Sequence, residues 1–392
     1  MLKNKTILYL VHDYNTFQKD PVEEASKYFK KVYVLARYKP ISRIVKYLPF
    51  KRLKRYEDSY VVNMRNVPSN VEVIKVPVWY LPFGIFNYFA GDAHYRAAKR
   101  IIRRHNIKFD LIHSHFTWTA GYAGMRLRED YGRPFVLTVH EDNNWLDKEL
   151  NSKDERIYNI WRSADILFRV NKRTIKDLRK YNDNVIYTSN SFNENLFFPQ
   201  DKQKSRKELN LNLNEKILLN VGYLEGYKGQ IYLIKAFDIL LKKYKRDNIK
   251  LYIIGEGSMR SILESEIEKL NLKERVILLG KQLHKDIPVW MNACDLFVLP
   301  SLSESFGIVQ IEAFACGKPV VASKNEGSKE VVTSEEYGLL CEIADPEDLA
   351  EKINKALEKK WDEKKIIDYS NMFKQENLLK EQIKEYEKVI KN

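Results

Sequence analysis

Cysteine is scarce in this chain: 392 residues hold three, Cys294, Cys316 and Cys341, all in apolar surroundings and none in a C-x-x-C spacing. An odd, unspaced set excludes a disulfide framework and a ribbon-type zinc site, so the three read as small core residues. Long hydrophobic runs are missing too. No stretch approaches the roughly 20 uninterrupted apolar residues that span a bilayer. The opening MLKNKTILYLVHDYN passes straight into a strand-like segment without a small-residue cleavage site. A soluble, cytoplasmic protein is expected. Two phosphate motifs are absent as well: GEGSMR at 255–260 has Arg260 where a dinucleotide fingerprint needs its third glycine, and no G-x-x-x-x-G-K-S/T occurs. His113 and His115 form an H-x-H pair that could suggest a metal, a weak signal without a third ligand nearby.

Acidic residues are unevenly distributed. Residues 1–200 carry 35 Lys and Arg against 21 Asp and Glu, whereas residues 201–392 carry 32 against 32, so the whole net charge of +14 sits in the first half. The densest part, RYKPISRIVKYLPFKRLKR at 37–55, has eight basic residues and no acidic one, with apolar residues interleaved. Such a run is commonly a solvated face. Beside the aromatic segment 77–91, with Trp79, Phe83, Phe86 and Phe89, it also suits an anionic membrane surface, with Lys51, Arg52, Lys54 and Arg55 as its contacts. Zinc-finger spacing, RNP-like aromatics and a helix-turn-helix pattern are all lacking, so nucleic acid is not an expected partner; a basic nucleic-acid-binding protein is the alternative that rests on charge alone.

What is abundant is short apolar runs rich in Val, Ile and Tyr. Seven lie in the first half, from KTILYLVH (5–12) to NVIYTSN (184–190), and six in the second, from KILLNVGYL (216–224) to GLLCEI (338–343). Continuous apolar strands alternating with helix-permissive segments mean α/β architecture with parallel sheets covered on both faces. The division expected is a first domain over 1–198, a polar linker over 199–214, a second domain over 215–368, and a C-terminal helix over 369–392, for which packing back on the first domain is one arrangement and the sequence alone does not choose between the domains. In such sheets ligands bind at the carboxyl ends of strands, and the loops there deserve the search.

One loop stands out. DLFVLP ends a strand, SLSESFG turns, and IVQIEAFAC has helical composition and is stopped by Gly317. Gly307 falls near a helix N-terminus, where free amides and the dipole favour an anion. Glu304 precedes the helix, and Glu312 lies about five residues inside it, ~7 Å further along. A solvated loop explains Glu304 easily. It explains Glu312 poorly, because Ile308, Val309, Ile311, Phe314 and Cys316 leave little of that helix to solvent, and the choice between surface residue and ligand-binding residue stays open on this ground alone.

Glu304-Ser-Phe-Gly, seven residues and then Glu312, followed by Gly317-Lys-Pro-Val-Val-Ala, resembles the E-x7-E region of the retaining glycosyltransferases of family 4, the group 1 glycosyl transferases. NVGYLEGYKG (220–229), IIGEG (253–257), LGKQLHKDIPVWMNACDLFVLPS (279–301), NEGSKEVV (325–332), DLIHSHF and PFVLTVHED agree in order. The resemblance implies a GT-B fold, two Rossmann-like parallel-sheet domains facing a cleft, and a hexosyltransferase-type enzyme. It would move a sugar, with retention, from a nucleotide sugar such as a UDP- or GDP-sugar to a glycan or lipid-linked acceptor, peripheral on the cytoplasmic membrane face, without cofactor or metal. By the same resemblance Glu304 contacts the donor sugar, amides from Phe306 through Gly307, Ile308 and Val309 hold sugar and diphosphate, Glu312 binds ribose, and Lys228 stabilises the departing diphosphate. Gly222, Tyr223, Gly255, Gly280 and Lys281 complete the donor side. His140, which ends PFVLTVH, corresponds to the family's histidine at the reacting centre, with His115 near it on the acceptor side.

Three departures matter. The family's G-R-L pattern reads Gly222-Tyr223-Leu224, which leaves Lys228 as the matching cation. The glycine-rich loop often found after the first strand is replaced by HDYNTFQKDPVEEA, and the usual N-G-V-D by Asn190-Ser191-Phe192-Asn193. A catalytically degenerate member is the reading these departures would favour; both glutamates and Lys228 oppose it.

Overall fold

The computed structural model describes residues 2–38, 40, 62–78 and 89–391. The basic residues Lys51, Arg52, Lys54 and Arg55, and Trp79, Phe83 and Phe86, lie outside them. The chain forms two units: Met1–Ser189 together with Gln375–Asn392, and Asn190–Lys374.

The first unit is built on seven strands: β1 (Thr6–Val11), β2 (Lys31–Tyr38), β3 (Val71–Pro77), β4 (Leu111–His115), β5 (Phe135–Val139), β6 (Ile166–Arg169) and β7 (Val185–Tyr187). They pair in the order β3-β2-β1-β4-β5-β6-β7, and every pairing is parallel. Side chains alternate between faces along a strand. Leu8, Leu10, Ile112, Leu137 and Leu167 therefore enter one core. Ile7, Tyr9, Val11, Val136 and Ile166 enter another. Both faces are covered, which is why these strands read as unbroken apolar runs. The helix Gln375–Lys391 closes the second face, burying Leu379, Ile383 and Tyr386 at a spacing of about one helical turn.

The second unit has six strands, β8 (Lys216–Val221), β9 (Ile249–Ile254), β10 (Val276–Gly280), β11 (Leu296–Leu299), β12 (Val320–Ser323) and β13 (Gly338–Cys341). Their order is β10-β9-β8-β11-β12-β13, again all parallel. In each unit the order reverses once, between β1 and β4 and between β8 and β11. All three cysteines are buried, and burial pushes the Cys294 and Cys341 thiols up to about 12.

The segment 199–214, expected to be a linker, is instead part of the second unit. Residues Lys202–Glu208 form a helix capped by the Asp201 carboxylate, which accepts the Lys204 amide. From it the buried Arg206 donates to the carbonyls of Ala293, Leu213 and Glu215 and to Asp295. Phe192 and Phe197 belong to this unit's core, so it begins at 190 rather than 215. At the other end, the helix expected over 369–392 is divided: Glu363–Ser370 ends before a short turn, and Gln375–Lys391 returns to the first unit.

Candidate active site

In the second unit the loops after β8 and β11 flank the point where strand order reverses, the place where open α/β sheets leave a crevice. Lys228 comes from the first loop and Glu304 from the second. Lys228 Nζ lies 2.6 Å from Glu304 Oε1, with both side chains largely buried. The loops are tied together by the Leu302 amide, which donates to the Tyr227 carbonyl at 2.8 Å. Glu304 also accepts from Ser301 Oγ at 2.7 Å. Asn325 Nδ2 in turn donates to the Ser301 carbonyl at 2.8 Å, while Asn325 Oδ1 caps the helix Glu326–Val331. A chain of contacts therefore aims the carboxylate. Burial opposes the charge on Lys228, but the Glu304 carboxylate outweighs it and raises the ammonium above the ordinary lysine value.

Gly307 ends the second loop with φ 88° and precedes the helix Ile308–Ala315. A side chain there would be strained by that φ, and its Cβ would lie 2.2 Å from Gln310 Nε2. Ile308 and Val309 supply first-turn amides, which a helix leaves without intrahelical acceptors. Phe306 is buried and packs its ring against Phe373 at 5.8 Å, so only its backbone is offered to a ligand. One and a half turns along, the buried Glu312 takes His284 Nε2 at 3.1 Å. A carboxylate in an apolar helix needs such a partner.

The remaining donor-side residues form the floor. Gly255, at φ 152°, lies so close to Gly222 that a Cβ would sit 1.8 Å from the Gly222 carbonyl oxygen. Its amide donates to the Gly280 carbonyl at 3.0 Å. Gly255 therefore joins the three strand ends instead of offering a free donor. The Tyr223 side chain is 65% exposed and its carbonyl accepts from Gln230 Nε2; Lys281 is exposed just after β10.

In the first unit the equivalent edge is a cluster of histidines. His140 immediately follows β5, and its Nε2 lies 3.1 Å from Nδ1 of His115, the last residue of β4. His12, immediately after β1, accepts the Thr119 amide and stacks on Phe116 with ring centroids 4.9 Å apart. His94 Nδ1 meets Thr119 Oγ1 at 2.9 Å. Phe116 is held at φ 73°, a left-handed conformation unusual for an aromatic residue. Burial lowers the basicity of every one of these rings. It brings His115 to about 4 and His94 to about 3, and holds His12 and His140 well below their ordinary value. All four are neutral at pH 7. The loop bearing His140 is fixed by the fully buried Arg169, which donates to the carbonyls of Val139 and Glu141 and to Asn143 Oδ1.

The C-terminal part of the chain, residues 201–372, matches the family Glycosyl transferases group 1, and residues 51–193 match Glycosyltransferase Family 4. An uncharacterized glycosyltransferase of Methanocaldococcus jannaschii is 33% identical over 264 residues, 66% of this chain and 68% of that protein. This chain belongs to the group 1 glycosyl transferases. Other curated relatives of this glycosyltransferase are matched over 62% to 65% of their own length. Among solved structures, sucrose-phosphate synthase from Thermosynechococcus elongatus superposes with a TM-score of 0.76 at 21% identity, covering 98% of this chain and 99% of that one. HepE of Anabaena, in complex with UDP, follows at 0.73 and 21% identity, covering 98% and 100%. At such identities the likeness is one of fold: two Rossmann-like parallel-sheet domains of GT-B enzymes.

Three residues that hold the candidate site residues in place were not singled out from the sequence. Ser301 and His284 lie inside segments that carry the family resemblance, but nothing in their spacing reveals that they hold Glu304 and Glu312. His12 had a usable signal: it directly follows the strand that borders the reversal of strand order.

Proposed function

We propose that this glycosyltransferase transfers a sugar, with retention of anomeric configuration, from a nucleotide sugar to a glycan or lipid-linked acceptor. The observation that carries the reading is the row Lys228, Glu304, Gly307, Glu312 along one sheet edge of the second unit. Lys228 and the helix N-terminus supply positive potential for a diphosphate. Glu304 supplies an aimed acceptor for sugar hydroxyls. Glu312 supplies a carboxylate able to accept two hydrogen bonds from a vicinal diol such as ribose. The structural neighbour HepE has been captured with UDP and with UDP-glucose, which supports a uridine nucleotide sugar as the first donor to try.

In the reaction so read, the bond from the anomeric carbon to the diphosphate oxygen breaks while the acceptor oxygen bonds to the same face. The acceptor's proton passes to the leaving phosphate oxygen, and Lys228 stabilises the charge that develops there. His140, neutral, is suited to hold an uncharged hydroxyl by a hydrogen bond. The excess of basic residues in the first half favours an anionic or lipid-linked acceptor. Flotation with anionic against neutral vesicles tests that part, and equal recovery with both would remove it.

The principal experiment is thermal-shift and slow-hydrolysis screening of UDP-, GDP- and ADP-sugars, repeated on Glu304→Ala. One donor should stabilise the wild type, and the variant should fold normally but lose turnover by about 10³-fold or more. Near-normal turnover in the variant would sink the assignment.

A further inference from the structure

The opposite edge of the second unit's sheet carries a feature that the transfer reaction does not use. Where β8, β11 and β12 begin, a cavity of about 190 Å³ has the charged lining Lys202, Lys216, Asp295, Lys318, Lys359 and Glu363, with Trp361 at its side. Asp295 already has more cations than one carboxylate can neutralise. Lys202 Nζ stands 2.5 Å from it, Arg206 Nη2 2.6 Å and Lys216 Nζ 3.5 Å. Lys318 is a fourth cation. It is 5% exposed and pairs with no carboxylate among the described residues. Its ammonium faces the cavity without a counter-charge, and the neighbouring cations repel it.

We propose that this cavity binds a small oxyanion of the phosphate class, held by Lys318, Lys202 and Lys216. Size and charge choose the ligand. Cavities that bury drug-sized ligands run from about 300 Å³ upward, so a nucleotide sugar does not fit and a phosphate or short phosphate monoester does. The five cations Lys202, Arg206, Lys216, Lys318 and Lys359 exceed the two carboxylates Asp295 and Glu363 by three, which favours a compact, multiply charged anion over a single carboxylate; lysines act here as point charges and need no planar partner. The site is distinct from that of the donor diphosphate, because it lies at the amino ends of the strands whereas Lys228 and Gly307 lie at their carboxyl ends. One element reaches both: the helix Ile308–Ala315 starts at Gly307 and is followed at once by Cys316, Gly317 and Lys318.

The test is a titration of the full-length protein with inorganic phosphate, followed by thermal unfolding and calorimetry, against sodium chloride of matched ionic strength. Phosphate tenfold above its Kd should raise Tm by about 3 °C in the wild type and equally in Lys228→Met. In Lys318→Met the rise should vanish, while Tm without phosphate stays at or above the wild-type value, since a buried charge is replaced by an apolar chain of similar length. If Lys318→Met does not fold, Lys202→Met, at a half-exposed position, should weaken Kd about tenfold while Arg206 and Lys216 still hold Asp295. Glycerol phosphate distinguishes the sources: a response equal to that of phosphate assigns the site to the phosphoryl group of a metabolite, and a response to inorganic phosphate alone assigns it to the free ion. An equal effect of chloride, an unchanged response in Lys318→Met, or loss of the response in Lys228→Met overturns the proposal.

Discussion

At the carboxyl edge of the second unit's sheet, ionised groups are buried in contact with each other, Lys228 with Glu304. At the same edge of the first unit, His12, His94, His115 and His140 are buried as neutral rings. Two sheets of one design thus solve the problem of a polar strand end in opposite ways. One pairs a cation with a carboxylate; the other discharges its imidazoles and holds its buried cation, Arg169, on neutral oxygens. The difference matches what each edge is asked to bind in the proposed reaction. A diphosphate needs a fixed positive charge, and an uncharged hydroxyl needs a neutral hydrogen-bond partner that attracts no counter-ion.

The comparison breaks most directly at Lys228. Lys228→Met leaves Glu304 buried with Ser301 as its remaining partner and removes the cation proposed for the leaving group. We expect turnover to fall about 10³-fold with the unfolding transition retained; a loss of less than tenfold would show that the charged edge does not handle the diphosphate. On the histidine edge, Arg169→Met strips hydrogen bonds from the carbonyls of Val139 and Glu141. The first unit should lose about 3 kcal/mol in denaturant titration while the second keeps its midpoint. A concerted shift of both units would refute that separation.

Acidity offers a third test. Glu149 lies two helical turns from the Asp142 cap, accepting from Trp145 Nε1, and burial followed by the nearby Glu141 carboxylate pushes its pKa up to about 9. A carboxyl whose folded pKa exceeds its unfolded value keeps its proton in the fold when the unfolded chain has lost it. Its contribution is therefore complete below the unfolded value and is lost as pH rises toward 9. Wild-type stability should fall between pH 5 and pH 9, by at most about 1.4 kcal/mol per pH unit from this group. Glu149→Gln should fall less steeply; parallel curves would dismiss the group. The smallest effect expected is an absence of titration. With His115 at about 4 and His140 lower than its ordinary value, kcat/KM should show no limb near pH 6.5. A limb there that disappears in His140→Asn would mean that the ring is charged in the free enzyme.

All thirteen strands among the described residues could be read from the sequence, because a parallel sheet covered on both faces writes itself as continuous apolar runs. The turn at Gly307 and the partly hidden Glu312 were also visible, since a carboxylate inside an apolar helix is a local contradiction. What escaped is tertiary pairing. The 199–214 segment looks like a linker because its lysines and asparagines outnumber its apolar residues, and the partners of Arg206 at Ala293 and Asp295 lie nearly ninety positions away. Ser301, three residues from Glu304, could equally have faced solvent. The stripe Leu379, Ile383, Tyr386 announced a buried face, but only contacts with the first sheet reveal its destination.

That destination affects how the protein is made. Residues 190–374 are contiguous, so the second unit can close its core as soon as it leaves the ribosome. The first unit cannot, since one face of its sheet is covered only in part, by Val22, Ala25 and Phe29, until Tyr386 arrives to hydrogen-bond His113 at 2.9 Å. The usual order of vectorial folding, amino-terminal domain first, is thereby inverted. Over nearly two hundred further residues of synthesis, Phe168 waits for the Tyr386 ring that completes its packing.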